Sequence, residues 1–156
     1  MREFIRRKLN EGLIKEKLML KDYDLNKVNS NLRFNNGVFN KSGHNTIFMD
    51  DEAIVDFGVG ELGLVKVDGN EYQNSLYLKG GFNASVQRKG YGTIGLRFIF
   101  NKLPKIQNVI LQCFDTACPF WVKMGGIEIV NKEMPGGHLL RTLLITRDAF
   151  DKAQGL

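Results

Sequence analysis

Residues 82–92 read Phe-Asn-Ala-Ser-Val-Gln-Arg-Lys-Gly-Tyr-Gly: the end of a strand-like run, a basic loop, and two glycines opening an apolar helical stretch. No other segment restricts the fold as much, because a strand that turns through glycines into a helix is the first half of a βαβ unit. Glycine lets the backbone approach an anion closely, and the first turn of the following helix presents unpaired amides at the positive end of its dipole. The segment reads as a phosphate site.

The spacing from Gln87 to Gly92, Q-x-x-G-x-G, resembles the acetyl-coenzyme A signature of the GNAT superfamily of N-acetyltransferases. There a strand ends in valine, any residue and proline, followed by Arg or Gln, two residues, then Gly-x-Gly at a helix start. Phe82 stands at the valine position and Ala84 at the proline position, with Gln87, Gly90 and Gly92 in the motif itself. A second segment supports the first. Residues 108–113 form a β-branched apolar run of strand type, Asp115 and Thr116 are candidate helix N-caps, and residues 117–126 continue Ala-Cys-Pro-Phe-Trp-Val-Lys-Met-Gly-Gly, with Pro119 in the first turn. This is similar to the family's other signature, the helix after its fifth strand, with Ala117, Phe120, Lys123, Met124 and Gly125 in register. The resemblance covers residues 45–147. It departs at Trp121, where the family usually has Tyr, and at Gly126, where it has Phe.

Gly90, Gly92 and Gly95 also spell G-x-G-x-x-G, and Asp115 ends an apolar run about twenty residues later, as in a dinucleotide fold. In that fold the strand runs almost straight into the first glycine, whereas Gln87, Arg88 and Lys89 intervene here and do not suit a buried strand end. The chain after Asp115 is too short for the rest of a doubly wound sheet, whose domains need about 150 residues. The dinucleotide reading is the lesser one.

A chain of 156 residues that is 43% apolar buries one substantial core, so a single domain over residues 1–156 is expected. The apolar runs are too short to cross a bilayer, and the first residues lack the apolar stretch and cleavage site of a secretory signal. A cytoplasmic location with no membrane partner is expected. Cys113 and Cys118 have no zinc spacing with His44 and His138, so no metal is expected and both cysteines are read as reduced thiols. The net charge of +5 is unevenly placed. Residues 51–72 carry Asp51, Glu52, Asp56, Glu61, Asp68 and Glu71 against Lys66, whereas residues 73–114 carry Lys79, Arg88, Lys89, Arg97, Lys102 and Lys105 with no acid. The second stretch would attract a polyanion. Coenzyme A fits that description; nucleic acid fits it less well, because interleaved exposed aromatics and a binding motif are missing.

Residues 1–30 read as helix, with Ile5, Leu9 and Leu13 at fourfold spacing among mixed charges. That mixture suits packing on the domain or on another subunit, as in a homodimer, better than a membrane surface. Residues 29–46 are turn-rich and hold an Asn-Gly pair suited to a hairpin, a candidate substrate-side loop. Strand-like runs at 46–49, 53–57, 62–67 and 75–82 imply an antiparallel meander. A helix over 92–101, a strand ending near Cys113, and a closing hairpin of 127–130 with 139–146 complete the order. The fold class expected is α+β: a mixed, mostly antiparallel sheet with helices on both faces and a βαβ crossover carrying the pyrophosphate loop.

The resemblance implies a function. Phe82, Asn83 and Ala84 would offer backbone groups to the pantetheine of acetyl-CoA between splayed fourth and fifth strands. Amides from Gln87, Arg88, Lys89, Gly90, Tyr91 and Gly92 would cradle the pyrophosphate, with the Arg88 and Lys89 side chains as phosphate contacts or as a solvated turn. Trp121 is either a coenzyme contact or a core aromatic; its indole cannot replace the tyrosine acid that protonates the departing thiolate in the family. Asp115 is a candidate base or a helix cap, and Cys118 a candidate acid or a buried small residue. The implied reaction is acetyl transfer to a primary amine of a protein or small molecule by direct attack. The alternatives are an acyl-CoA binder with little turnover and a basic nucleic-acid-binding module.

Overall fold

The computed structural model describes residues 31–84 and 90–155, so the predicted helix over 1–30 lies outside the described residues. Strands β1 (Leu32–Phe34), β2 (Gly43–Met49), β3 (Glu52–Val67) and β4 (Asn70–Ala84) form an antiparallel meander. Helix α1 (Tyr91–Lys102), β5 (Asn108–Phe114), α2 (Cys118–Lys123), β6 (Ile127–Glu133), β7 (Leu139–Thr146) and α3 (Arg147–Ala153) follow. The sheet order is β1-β2-β3-β4-β5-β7-β6, in which β4 and β5 are parallel and every other described pair is antiparallel.

The runs at 53–57 and 62–67, predicted as two strands, are one. Gly58, Gly60 and Gly63 do not turn the chain; they lie at register shifts between Phe57 and Val59, Val59 and Glu61, and Gly63 and Val65. A Cβ on Gly58 would sit 2.4 Å from the Lys79 carbonyl oxygen, so glycine is there to admit the backbone of β4. The turn into β4 is Asp68-Gly69, with φ of 50° and 84°, the left-handed pair that a two-residue hairpin requires. The Asn36-Gly37 pair makes no such turn: β1 ends at Phe34 and β2 begins at Gly43. Asn45, fully buried, organises the loop between them by accepting from the Asn40 amide at 2.8 Å, donating to the Asn40 carbonyl at 2.9 Å, and accepting from Asn35 Nδ2 at 3.2 Å.

Alternation along the strands fixes the core face. Leu76 and Leu78 on β4, Val109 and Leu111 on β5, and Leu143 and Ile145 on β7 are buried together with Ile94, Phe98, Trp121 and Phe150 of the three described helices. Helices on both faces were expected; the three described ones share this cluster on one face. In α1, residues 93–100 are all buried: the helix packs on β3 and β4, and α3 meets it at Arg97 and Phe100. Gly95 gives the close approach to the sheet, since a Cβ there would meet Val55 at 2.9 Å and Phe82 at 3.1 Å.

Helix α3 was not anticipated. The Thr146 hydroxyl caps it by accepting from the Ala149 amide at 3.0 Å. Phe150 packs on Phe100 with centroids 5.5 Å apart. Arg97, predicted to belong to the polyanion-attracting surface, is instead buried: it pairs with Asp151 and its guanidinium lies 4.7 Å from the Phe150 ring centre. Arg147 donates to the Leu103 carbonyl at 3.0 Å and the Ile106 carbonyl at 2.6 Å, closing the exit of α1. Burial, and then Arg97, hold the Arg147 guanidinium below its ordinary range, with Asp151 opposing them.

Asn45→Ala removes the three side-chain bonds that tie Asn40 and Asn35 to a buried position, and is expected to cost about 2 kcal/mol in denaturant unfolding. Asp151→Asn leaves the Arg97 charge uncompensated. Since Asp151 is itself about one-third exposed, the expected loss is about 1–2 kcal/mol, read by the same measurement.

Candidate functional site

Strands β4 and β5 pair from Ser75 with Asn108 to Leu78 with Leu111, and there the ladder stops. Both strands continue. Phe82, Asn83 and Ala84 of β4 stay paired to Phe57, Asp56 and Val55 of β3, while Gln112, Cys113 and Phe114 of β5 stay paired to Thr142, Arg141 and Leu140 of β7. The facing edges of the two strands are therefore unpaired with each other beyond Leu78 and Leu111. The cause is local. Between the pairs Val59 with Leu78 and Phe57 with Phe82, β3 has Gly58 alone, whereas β4 has Lys79, Gly80 and Gly81. Gly80 takes φ 84°, and a bulge of this kind bends its strand out of line.

Helix α1 begins close to this split. Gly90 is its N-cap at φ 73°, ψ 12°, with no side-chain cap. Its carbonyl accepts from the Ile94 amide at 3.0 Å, so the amides of Tyr91, Gly92 and Thr93 precede the first bond of the helical ladder. Phe82 connects the parts: it lies against Gly95 of α1 and meets Trp121 of α2 edge-on, with centroids 5.3 Å apart. A Cβ on Gly92 would sit 2.8 Å from Phe120, so this glycine also seats α1 against α2. The Tyr91 side chain turns away to Glu52, its hydroxyl 3.3 Å from the carboxylate; burial, then Glu52, push its pKa above the usual tyrosine value. Gln87, Arg88 and Lys89 lie outside the described residues.

Four predicted residues take different settings from those expected, and Trp121 takes one of its two expected settings. Asp115 and Thr116 do not cap α2, whose N-cap is Ala117 without a side-chain bond. The Asp115 carboxylate instead lies 3.7 Å from Arg141, which also meets Glu128 at 3.3 Å. Cys113 and Cys118 are not reduced thiols: they form a disulfide that ties the end of β5 to the first residue of α2, with Cα atoms 5.4 Å apart. A disulfide sulfur carries no proton, so Cys118 cannot act as an acid in this form. Trp121 is buried among Phe82 and Phe120 as a core aromatic.

Two cavities flank the split. One of about 390 Å³ at the end of β5 is lined by Phe114, Asp115, Thr116 and His138. The other, about 280 Å³, lies on the sheet face opposite α1, lined by Glu61 and residues 65–68 around the end of β3 together with Tyr77, Gln112 and Thr142. Tyr77 stands between Leu76 and Leu78, and Gln112 between Leu111 and Cys113, so both point away from the helices. Sequence reasoning did not single out His138, Glu61, Tyr77, Gln112 or Thr142 as lining a cavity; strand register sets the last four together, and the loop before β7 sets His138. Among the described residues, no group of three His, Cys, Asp or Glu side chains is placed to hold a metal, and no helix is long and apolar enough to cross a membrane.

No protein-family model matches the chain, and no curated protein matches it. Solved structures do. The aminoglycoside N(6')acetyltransferase from Legionella pneumophila aligns over 76% of this chain and 70% of its own at 12% identity, with a TM-score of 0.54. The ribosomal-protein-S18-alanine N-acetyltransferase from Escherichia coli aligns over 80% and 77% at 11% identity, with a TM-score of 0.50. At such identities the likeness concerns the fold alone: a central mixed sheet with helices packed on it, shared with those two structures.

Proposed function

We propose that this protein transfers an acetyl group from acetyl-CoA to a primary amine. One observation carries the reading: the β4–β5 ladder ends after Leu78 and Leu111 beside a helix whose N-cap, Gly90, is left-handed and without a side-chain cap. The open edge of Phe82, Asn83 and Ala84 suits the amide-bearing pantetheine arm, which can pair with a strand as a peptide does. The amides of Tyr91, Gly92 and Thr93 suit the pyrophosphate. The fold likeness to two acetyltransferases supports the same reading.

Chemistry in such a site is direct attack of a neutral amine on the thioester carbon, with a backbone amide near Phe82 polarising the carbonyl. A second reading, an acyl-CoA binder with little turnover, is favoured by one local fact. The indole of Trp121 is buried and Cys118 is in a disulfide, so neither offers a proton to a departing thiolate. A nucleic-acid-binding role loses support, because Arg97 is committed to Asp151.

Calorimetry with acetyl-CoA is expected to give saturable binding, and thiol release with a panel of amines to give turnover; binding without release from any amine favours the second reading. Gly90→Val, which penalises the left-handed cap, is expected to weaken acetyl-CoA about tenfold or more, while Gly90→Asn, which tolerates that conformation, stays within about threefold. Equal affinity for both variants would remove Gly90 from the site.

A further inference from the structure

We propose that the Cys113–Cys118 disulfide is a redox-sensitive switch on the coenzyme site: closed, it holds α2 so that Trp121 and Phe120 brace the split, and opening it weakens acetyl-CoA. This inference rests on the acetyl-transfer reading and concerns the control of that same site.

Helix α2 is poorly equipped to hold itself. It has six residues, too few for a helix to persist on its own turns, and its N-cap, Ala117, makes no side-chain bond. Its buried residues are Cys118 and Trp121, at a spacing that puts them on one face. Cys118 is bonded to Cys113, which stands with Val109 and Leu111 on the core face of β5. The covalent bond therefore sets where the helix begins, and with it where the indole lies. The ion pair of Asp115 with Arg141, at 3.7 Å and largely exposed, adds little to this tie.

From α2 the contacts lead to both halves of the site. Trp121 meets Phe82 with ring centroids 5.3 Å apart, and Phe82 belongs to the open edge of β4. Phe120 lies 2.8 Å from where a Cβ on Gly92 would be, and Gly92 carries one of the first-turn amides of α1. Phe82 stays paired to Phe57, and α1 stays buried along residues 93–100, so α2 is the part that a broken bond releases. Once reduced, the two cysteines are small apolar residues, and Trp121 remains as the anchor of α2. The fold is kept while the bracing slackens.

The reductant is a small dithiol. Its thiolate attacks one sulfur of the bond, forming a mixed disulfide and releasing one cysteine as thiolate; its second thiol then displaces the other cysteine and closes a cyclic disulfide. Two electrons and two protons pass to Cys113 and Cys118, and the dithiol loses the same. Both cysteines are buried, but Phe114, Asp115 and Thr116 between them are exposed and line the 390 Å³ cavity. A small dithiol gains the bond by displacing this loop and not the core.

Coupling of this kind is reciprocal: if the oxidised protein binds the coenzyme more tightly, bound coenzyme favours the closed bond by the same factor. The test uses desulfo-coenzyme A, which has no sulfur to exchange, in calorimetry on three forms: oxidised protein, protein reduced with dithiothreitol, and Cys113→Ser/Cys118→Ser. The oxidised form is expected to bind about five- to tenfold more tightly than the other two. In mixtures of reduced and oxidised dithiothreitol, quenched by alkylation, saturating desulfo-coenzyme A is expected to shift the thiol–disulfide equilibrium constant by that same factor. Trp121 is the one tryptophan of the chain, so its emission reports the bracing directly. That emission is expected to move to longer wavelength on reduction, with the far-ultraviolet circular dichroism unchanged. Should the serine variant not fold, the reduced wild type carries the comparison. Equal affinity of the oxidised and reduced proteins overturns the inference and leaves the acetyl-transfer reading standing. Reduced protein that melts below the assay temperature also overturns it, since the bond would then support the whole fold. Absence of binding by every form removes the coenzyme reading itself, and this inference with it.

Discussion

Lys79, Gly80 and Gly81 of β4 stand opposite Gly58 alone on β3, and the split end of the sheet is built around that mismatch. A strand carrying surplus residues cannot keep in step with both neighbours. Here β4 stays with β3 and leaves β5, which stays with β7. The bulge also depends on what is missing: a side chain at Gly58 would collide with the Lys79 carbonyl, so the opening is conditional on a single hydrogen in place of a methyl group.

Around this opening the aromatic residues act as spacers. Phe82 touches α1 at Gly95 and α2 at Trp121, while Phe120 lies over Gly92. Each glycine in α1 thus has a bulky neighbour occupying the place of its side chain. Buried along residues 93–100 and held at its far end by Arg147, α1 keeps its first-turn amides in place before any ligand arrives. A site whose donors are ordered during folding binds an anion without further loss of backbone freedom.

Much of this was legible in the residues. The glycine-flanked start of α1, the β-branched run of β5 and the hairpin of β6 and β7 are local patterns, and local patterns survive into the fold. The split was expected only through a resemblance, because lateral register across a bulge has no signature in one strand alone. The same limit hid the pairing of Glu61 with Tyr77, which is displaced by the glycines between Phe57 and Gly63. Helix α3 was missed because its two turns carry one buried aromatic, Phe150, and depend on Arg97 and Phe100 for a partner. Its cap, Thr146 followed by Asp148, was a readable signal. The cysteines misled for a related reason: spacing along the chain did not reveal that the end of β5 and the start of α2 face one another.

The disulfide encloses only the short connection from β5 to α2, so in the chain-entropy account it adds about 2 kcal/mol, a modest share of a domain's stability. Its larger effect is mechanical. Asp115 and Thr116, which line the cavity at the end of β5, are held within a covalent ring, whereas the opposite lip of the fork, on β4, is shaped by glycines. One jaw is stapled and the other is hinged. A reducing buffer would loosen the stapled jaw alone, so the width of the mouth becomes a property of the solution as well as of the chain.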